Sequence, residues 1–131
     1  VTGALRRCRV LLVDDEADFA TATAQRLERR GFEVRFALDG EAALAAARAA
    51  PPDVVVLDVR LAGEDGLAVL AGLKRDQPGL EVILLTGHAS AGDGLEGMRL
   101  GAFDYVLKPV AIEELCVRLE AAWARRRAAA G

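Results

Sequence analysis

Asp14, Asp15, Asp58, Thr86 and Lys108 each stand just after a short apolar run. The runs are Val10-Leu11-Leu12-Val13, Val54-Val55-Val56-Leu57, Val82-Ile83-Leu84-Leu85 and Tyr105-Val106-Leu107. Short, continuous apolar runs of this kind read as parallel strands buried on both faces. In an open α/β sheet, ligands bind beyond the carboxyl ends of the strands. Carboxylates, a hydroxyl and an amine are therefore expected to converge on one edge of one sheet. Oxygen-only ligands suit a hard divalent cation such as Mg²⁺, and the amine suits an anion held beside it. Close carboxylates repel one another, so at least one pKa should rise unless a cation enters. Any one of these aspartates alone reads equally well as a helix cap or loop residue. Lys108 alone reads as a plain salt-bridge partner, and Thr86 alone as a strand-end cap.

The elements that must position these groups alternate strand and helix five times. Strands are expected at Arg9 to Val13, Glu33 to Ala37, Val54 to Leu57, Glu81 to Leu85 and Asp104 to Leu107. The second is short and alternating, which suits an edge. The first helix is expected from Ala17 to Arg30, with Phe19, Ala22, Thr23 and Leu27 on one face and Gly31 as its stop. An Ala-rich helix follows Asp39-Gly40 and ends at Pro51-Pro52. A loop rich in Gly and acid, Ala62 to Gly66, leads into a third helix ending near Pro78-Gly79. The fourth, about Ala91 to Leu100, carries Gly92, Gly94 and Gly97. Each glycine costs about 1 kcal/mol relative to Ala in a helix interior, so this helix is expected to be the most mobile. The fifth, Ile112 to about Arg127, has an apolar stripe of Ile112, Leu115, Cys116, Leu119 and Trp123. Alternation of this kind implies a doubly wound parallel sheet of five strands covered by five helices. After the last strand, a cis Lys108-Pro109 bond would aim the lysine.

At 131 residues the chain reads as a single domain, residues 1–131, with its core at about 9–124 and a tail or linker start at 125–131. A net charge of −3 argues against direct nucleic-acid binding, which needs clustered Lys and Arg. Arg125-Arg126-Arg127 reads instead as a cationic helix C-terminus that favours the helix dipole. Cys8 and Cys116 stand in no metal or redox spacing and read as buried or half-buried thiols. No leader and no membrane span is read, and a cytoplasmic location is expected. The first residue is Val, which fits a processed protein or an excised segment.

Four segments together carry a family resemblance. They are Leu12-Val13-Asp14-Asp15-Glu16, Leu57 to Gly66, Leu85-Thr86-Gly87-His88 and Gly101 to Pro109. In this order and spacing the chain resembles the receiver domain of bacterial two-component response regulators, from about Arg9 to Trp123. The resemblance implies a flavodoxin-like fold with strand order 2-1-3-4-5. It implies that Asp58 accepts a phosphoryl group from a sensor histidine kinase or phosphotransfer protein. Asp14, Asp15, Asp58 and the backbone carbonyl of Arg60 would hold Mg²⁺, and Lys108 and Thr86 would contact the phosphoryl oxygens. Thr86 and the Tyr105 ring would form the switch. The face of helix four, strand five and helix five would meet an output domain or partner, and would dimerise on phosphorylation.

One position departs from the family pattern and two others bear on tuning. Ala62 stands where many receivers have Pro, and Arg60 and His88 occupy positions that set the aspartyl-phosphate lifetime. Such a domain is a signalling module that catalyses only its own phosphorylation and dephosphorylation. Two other readings compete. A haloacid-dehalogenase type of hydrolase would want an Asp two residues after the nucleophile, where this chain has Arg60. A receiver-like binding module that is never phosphorylated would usually lack one of the acids or the lysine, and none is lacking.

Overall fold

The computed structural model describes residues 6–61, 63–87 and 91–130. Its elements are β1 (Arg9–Val13), α1 (Ala17–Arg29), β2 (Glu33–Ala37), α2 (Gly40–Ala49), β3 (Val54–Asp58), β4 (Arg60–Leu61), β5 (Glu64–Asp65), α3 (Gly66–Asp76), β6 (Glu81–Thr86), α4 (Ala91–Arg99), β7 (Asp104–Leu107) and α5 (Ile112–Ala130). The main sheet is parallel with order β2-β1-β3-β6-β7, the flavodoxin-like α/β arrangement expected from the sequence. The order changes direction between β1 and β3, the switch point at which doubly wound sheets bind ligands.

Strand residues alternate between two cores because successive side chains leave a strand on opposite faces. Leu11, Val13, Val55, Leu57, Val82 and Leu84 pack with Ala43, Ala47, Val69, Leu70 and Leu73 of α2 and α3. Val10, Leu12, Val54, Val56, Ile83 and Leu85 pack with Ala20, Leu27, Leu115, Leu119 and Ala122 of α1 and α5. The α5 stripe falls on the core as expected. The α1 face is rotated: Ala20 and Ala24 are buried beside Thr23 and Leu27, whereas Ala22 is exposed.

Several boundaries have local causes. Gly31 and Gly101 adopt positive φ of 94° and 101°. The amides that follow them reach back to Leu27 O and Gly97 O, closing α1 and α4 with the motif that favours glycine. Asp39 and Asp65 cap α2 and α3 by accepting from the amides of Ala42 and Leu67. The acidic loop before α3 differs from expectation. It contains a short antiparallel ladder, Arg60 opposite Asp65 and Leu61 opposite Glu64. Ala62 and His88 lie outside the described residues.

The α4 glycines also differ in role. A Cβ on Gly94 would lie 2.7 Å from Cδ2 of the Tyr105 ring, and one on Gly97 would run into Leu84 Cδ1. These two glycines let α4 approach β6 and β7 closely. Gly92 alone has open space and only the entropic cost. No helix among the described residues is long and apolar enough to cross a membrane.

Candidate functional site

Asp14 follows β1, and Asp58 ends β3, on adjacent strands. Both are buried and both are held by the same local device. Asp14 Oδ1 accepts the amide of Glu16 at 2.9 Å, and Asp58 Oδ1 accepts the amide of Arg60 at 3.0 Å. An aspartate that bonds the amide two residues on forms an Asx-type turn, which fixes a carboxylate leaving a strand. Each Oδ2 then faces inward to one amine: Lys108 Nζ lies 3.1 Å from Asp14 and 3.0 Å from Asp58. The Asp15 carboxylate, half-buried beside them, has no hydrogen bond or ion pair among the described residues. One oxygen from each of Asp14, Asp15 and Asp58 lies within 4.8 Å of the others.

The charge balance of this cluster is incomplete: three carboxylates lie together, and the one ammonium beside them pairs with two. The Asp14 carboxyl is pushed above its ordinary value of 3.8. Burial is the main cause, opposed by the Glu16 amide and the Lys108 ammonium. Repulsion from Asp58 adds the smallest share, so the rise expected from crowding is mainly a burial effect. The Lys108 ammonium is held above its ordinary value: burial lowers it, and the hydrogen bonds and charges of Asp58 and Asp14 more than reverse that.

Backbone pairing sets Thr86 and Lys108 side by side. Thr86 O accepts the amide of Lys108 at 2.7 Å, and Thr86 pairs with Leu107 across the β6–β7 ladder. The Lys108-Pro109 bond is cis. Thr86 is 1 % exposed, and its hydroxyl finds no hydrogen-bond partner among the described residues. A buried hydroxyl normally has a partner, because leaving one unpaired costs free energy. Tyr105 is half-buried on β7, with its ring over Gly94.

The hard-oxygen donor set fits a Mg²⁺ ion, which takes one or two carboxylates and keeps several waters. A carboxylate without a partner and a pair that only half shares a lysine are the groups such an ion would neutralise. The Arg60 amide is committed to Asp58, and its side chain reaches Asp93 of α4 at 3.5 Å.

Sequence reasoning passed over two residues here. Gly66 fits close against the backbone after Asp58: a Cβ there would lie 2.6 Å from Asp58 O and run into Val59 O. Its amide donates to Val59 O at 2.8 Å, which pins the loop. Phe19 of α1 places its ring 4.7 Å from Lys108 Nζ. Gly66 was visible as a loop glycine, but the need for close approach was not. Phe19 carried only the signal of an apolar helix face.

Comparisons with known proteins agree with this geometry. The family model of the response regulator receiver domain matches residues 10–120. The probable transcriptional regulatory protein TcrX of Mycobacterium tuberculosis is 46% identical over 112 residues, covering 86% of this chain and 48% of that protein. The alkaline phosphatase synthesis transcriptional regulatory protein PhoP of Bacillus subtilis is 38% identical over 122 residues, covering 93% of this chain and 51% of that protein. The chain thus spans about half the length of the curated relatives it matches. Among solved structures, a response regulator receiver domain protein from Clostridium thermocellum superposes with a TM-score of 0.87 at 30% identity, covering 92% of this chain and 97% of that one. The receiver domain of NtrX from Brucella abortus gives 0.84 at 37% identity, covering 88% and 98%. With a family match across most of its length, the chain belongs to the response regulator receiver domains, which are signalling modules rather than classical enzymes.

Proposed function

We propose that this chain is a phosphorylation-controlled switch whose phosphoacceptor is Asp58. The observation that carries the reading is the under-neutralised carboxylate cluster beside the unpartnered, buried Thr86 hydroxyl. Asp14, Asp15 and Asp58, with the Arg60 carbonyl, would hold Mg²⁺. When bound, that ion would neutralise charge on the transferring phosphoryl group. The donor is a phosphohistidine of a sensor kinase or phosphotransfer protein. An Asp58 carboxylate oxygen attacks phosphorus as the phosphorus–nitrogen bond breaks, and the imidazole leaves. Lys108 exchanges a carboxylate contact for a phosphoryl oxygen, and Thr86 donates its free O–H to another.

The Thr86 movement vacates space behind it for the Tyr105 ring, coupling the site to α4 and β7. Exposed Leu95 and Met98 of α4, Leu107 of β7 and Val117 of α5 give that face an apolar surface for an output module, a partner protein or a second phosphorylated copy. The relatives are named as transcriptional regulators, which fits an output module as reader. A cytoplasmic location goes with a cytoplasmic kinase domain as donor.

The test is intact-protein mass after incubation with Mg²⁺ and a small phosphodonor. The parent should gain one phosphoryl group and Asp58→Asn none. No gain by the parent, with Mg²⁺ binding verified separately, would point to a receiver that needs its kinase as donor or to a receiver-like binding module.

A further inference from the structure

A lysine ammonium has three N–H donors. Two of those on Lys108 are accounted for by Asp14 and Asp58. The ring of Phe19 lies under the same nitrogen, 4.7 Å from centroid to Nζ. Phe19 stands in the first turn of α1, half-buried, and packs against the core formed by α1, α5 and the sheet. An aromatic face carries negative quadrupole density, and a cation within about 6 Å of its centroid is attracted, more strongly when water is kept away. The Lys108 side chain is only 24% exposed, so the contact is largely shielded.

The ring differs from a third carboxylate in two ways. It adds no charge to an already acidic cluster, and it imposes no single hydrogen-bond direction. An ammonium resting on it can exchange one oxygen for another at the carboxylate side without losing its support. We propose that Phe19 is a positioning residue for phosphoryl transfer. Its ring holds the Lys108 ammonium over Asp58, so that the charge is already in place when the phosphoryl group arrives. The role in transfer rests on the reading of Asp58 as phosphoacceptor.

The chain has two lysines, Lys74 and Lys108, which makes the contact directly readable. Protein labelled with carbon-13 at lysine gives one ε-methylene signal from each. Lys74 bonds the carbonyls of Pro78 and Leu80 and serves as the internal reference for folding. The Lys108 ε-protons should be shifted by the Phe19 ring current, and Phe19→Leu should remove that shift while leaving Lys74 in place. In the presence of Mg²⁺ and a small phosphodonor, Phe19→Leu should slow phosphoryl gain roughly fivefold, and Phe19→Tyr should restore it. Stepwise fluorination of the ring at position 19 drains the quadrupole at nearly constant shape, so the rate should fall step by step.

A rate that stays flat across the fluorinated series, or a Lys108 shift that survives Phe19→Leu, would overturn the proposal. A parent that accepts no phosphoryl group would overturn the Asp58 reading, and with it the role of Phe19 in transfer. The ring-current result would still report the contact itself.

Discussion

The two edges of the main sheet hold acids under opposite rules. At the amino edge both buried carboxylates among the described residues are matched. Asp53, just before β3, receives both arms of the Arg6 guanidinium at 2.8 Å and the amide of Arg9 at 2.9 Å. Glu81, the first residue of β6, pairs with Arg125 at 3.1 Å. At the carboxyl edge Asp14 and Asp58 share Lys108, and Asp15 beside them has no partner among the described residues. Titration follows the same division. Burial pushes Asp53 up, but Arg6 and Arg9 reverse this and hold it below 3.8, whereas Asp14 lies above that value. An edge whose charges are satisfied serves stability. An edge left short of positive charge is prepared for a cation that the chain itself does not supply.

The comparison breaks most visibly at Lys108. Lys108→Met should slow phosphoryl gain by about a hundredfold, as expected when one preorganised charge is removed from a transferring group. Unfolding in metal-free buffer should also cost about 2–3 kcal/mol less, because the fully buried Asp14 loses its ion-pair partner. Added Mg²⁺ should return much of that stability. Failure of Mg²⁺ to do so would place the cation elsewhere.

Asp53→Ala is the matching test at the amino edge. It should destabilise by about 2 kcal/mol, less than a fully buried pair, because the Arg6 guanidinium is half-exposed. Here Mg²⁺ should restore nothing. Urea unfolding with and without the ion reads both variants on one scale.

A third test asks whether the carboxyl edge is also the side built to move. Gly97→Ala and Gly94→Ala should each destabilise by about 1–2 kcal/mol, because the added methyl meets Leu84 or the Tyr105 ring. Gly92→Ala should stabilise by up to about 1 kcal/mol, since its surroundings are open. Tyr105 is the single tyrosine, so fluorotyrosine labelling gives one fluorine signal. Gly94→Ala should shift that signal and Gly92→Ala should not. An unmoved signal in Gly94→Ala would disconnect α4 from the ring.

The smallest effect is in pH dependence. Asp53 has a lowered pKa when folded, so its contribution is present above 3.8 and is lost as pH falls below it. Asp14 has a raised pKa, so metal-free protein should lose stability as pH rises from 3.8 through the raised value. Asp53→Asn should flatten the acid side of the profile, and Asp14→Asn the side above it. Midpoints of urea unfolding between pH 3 and pH 7 would show whether the two variants act on opposite flanks.

Much of the fold was legible because the signals are local. Four apolar runs marked buried strands, Gly31 marked the end of α1, and alternation of strand and helix marked a doubly wound sheet. The strand-end positions of Asp14, Asp58, Thr86 and Lys108 came with those runs. The rotation of α1 that buries Ala20 and Ala24 was not legible, because alanine fits either face. The β4–β5 ladder leaves no mark in the sequence, because two-residue strands have no periodicity. The α4 glycines look alike in sequence, since nothing local distinguishes an open glycine from one pressed against a ring.

Which chemical groups lie at the ends of which strands is encoded locally, because a strand's period and its bounding residues stand in consecutive positions. How those groups meet depends on the packing of distant segments. Lys108 reaches Asp14 and Asp58 across 94 and 50 residues of chain, Phe19 comes under it from α1, and the Thr86 hydroxyl has no partner among the described residues. Distances and unpaired atoms of this kind arise from packing between distant segments, which no local pattern encodes.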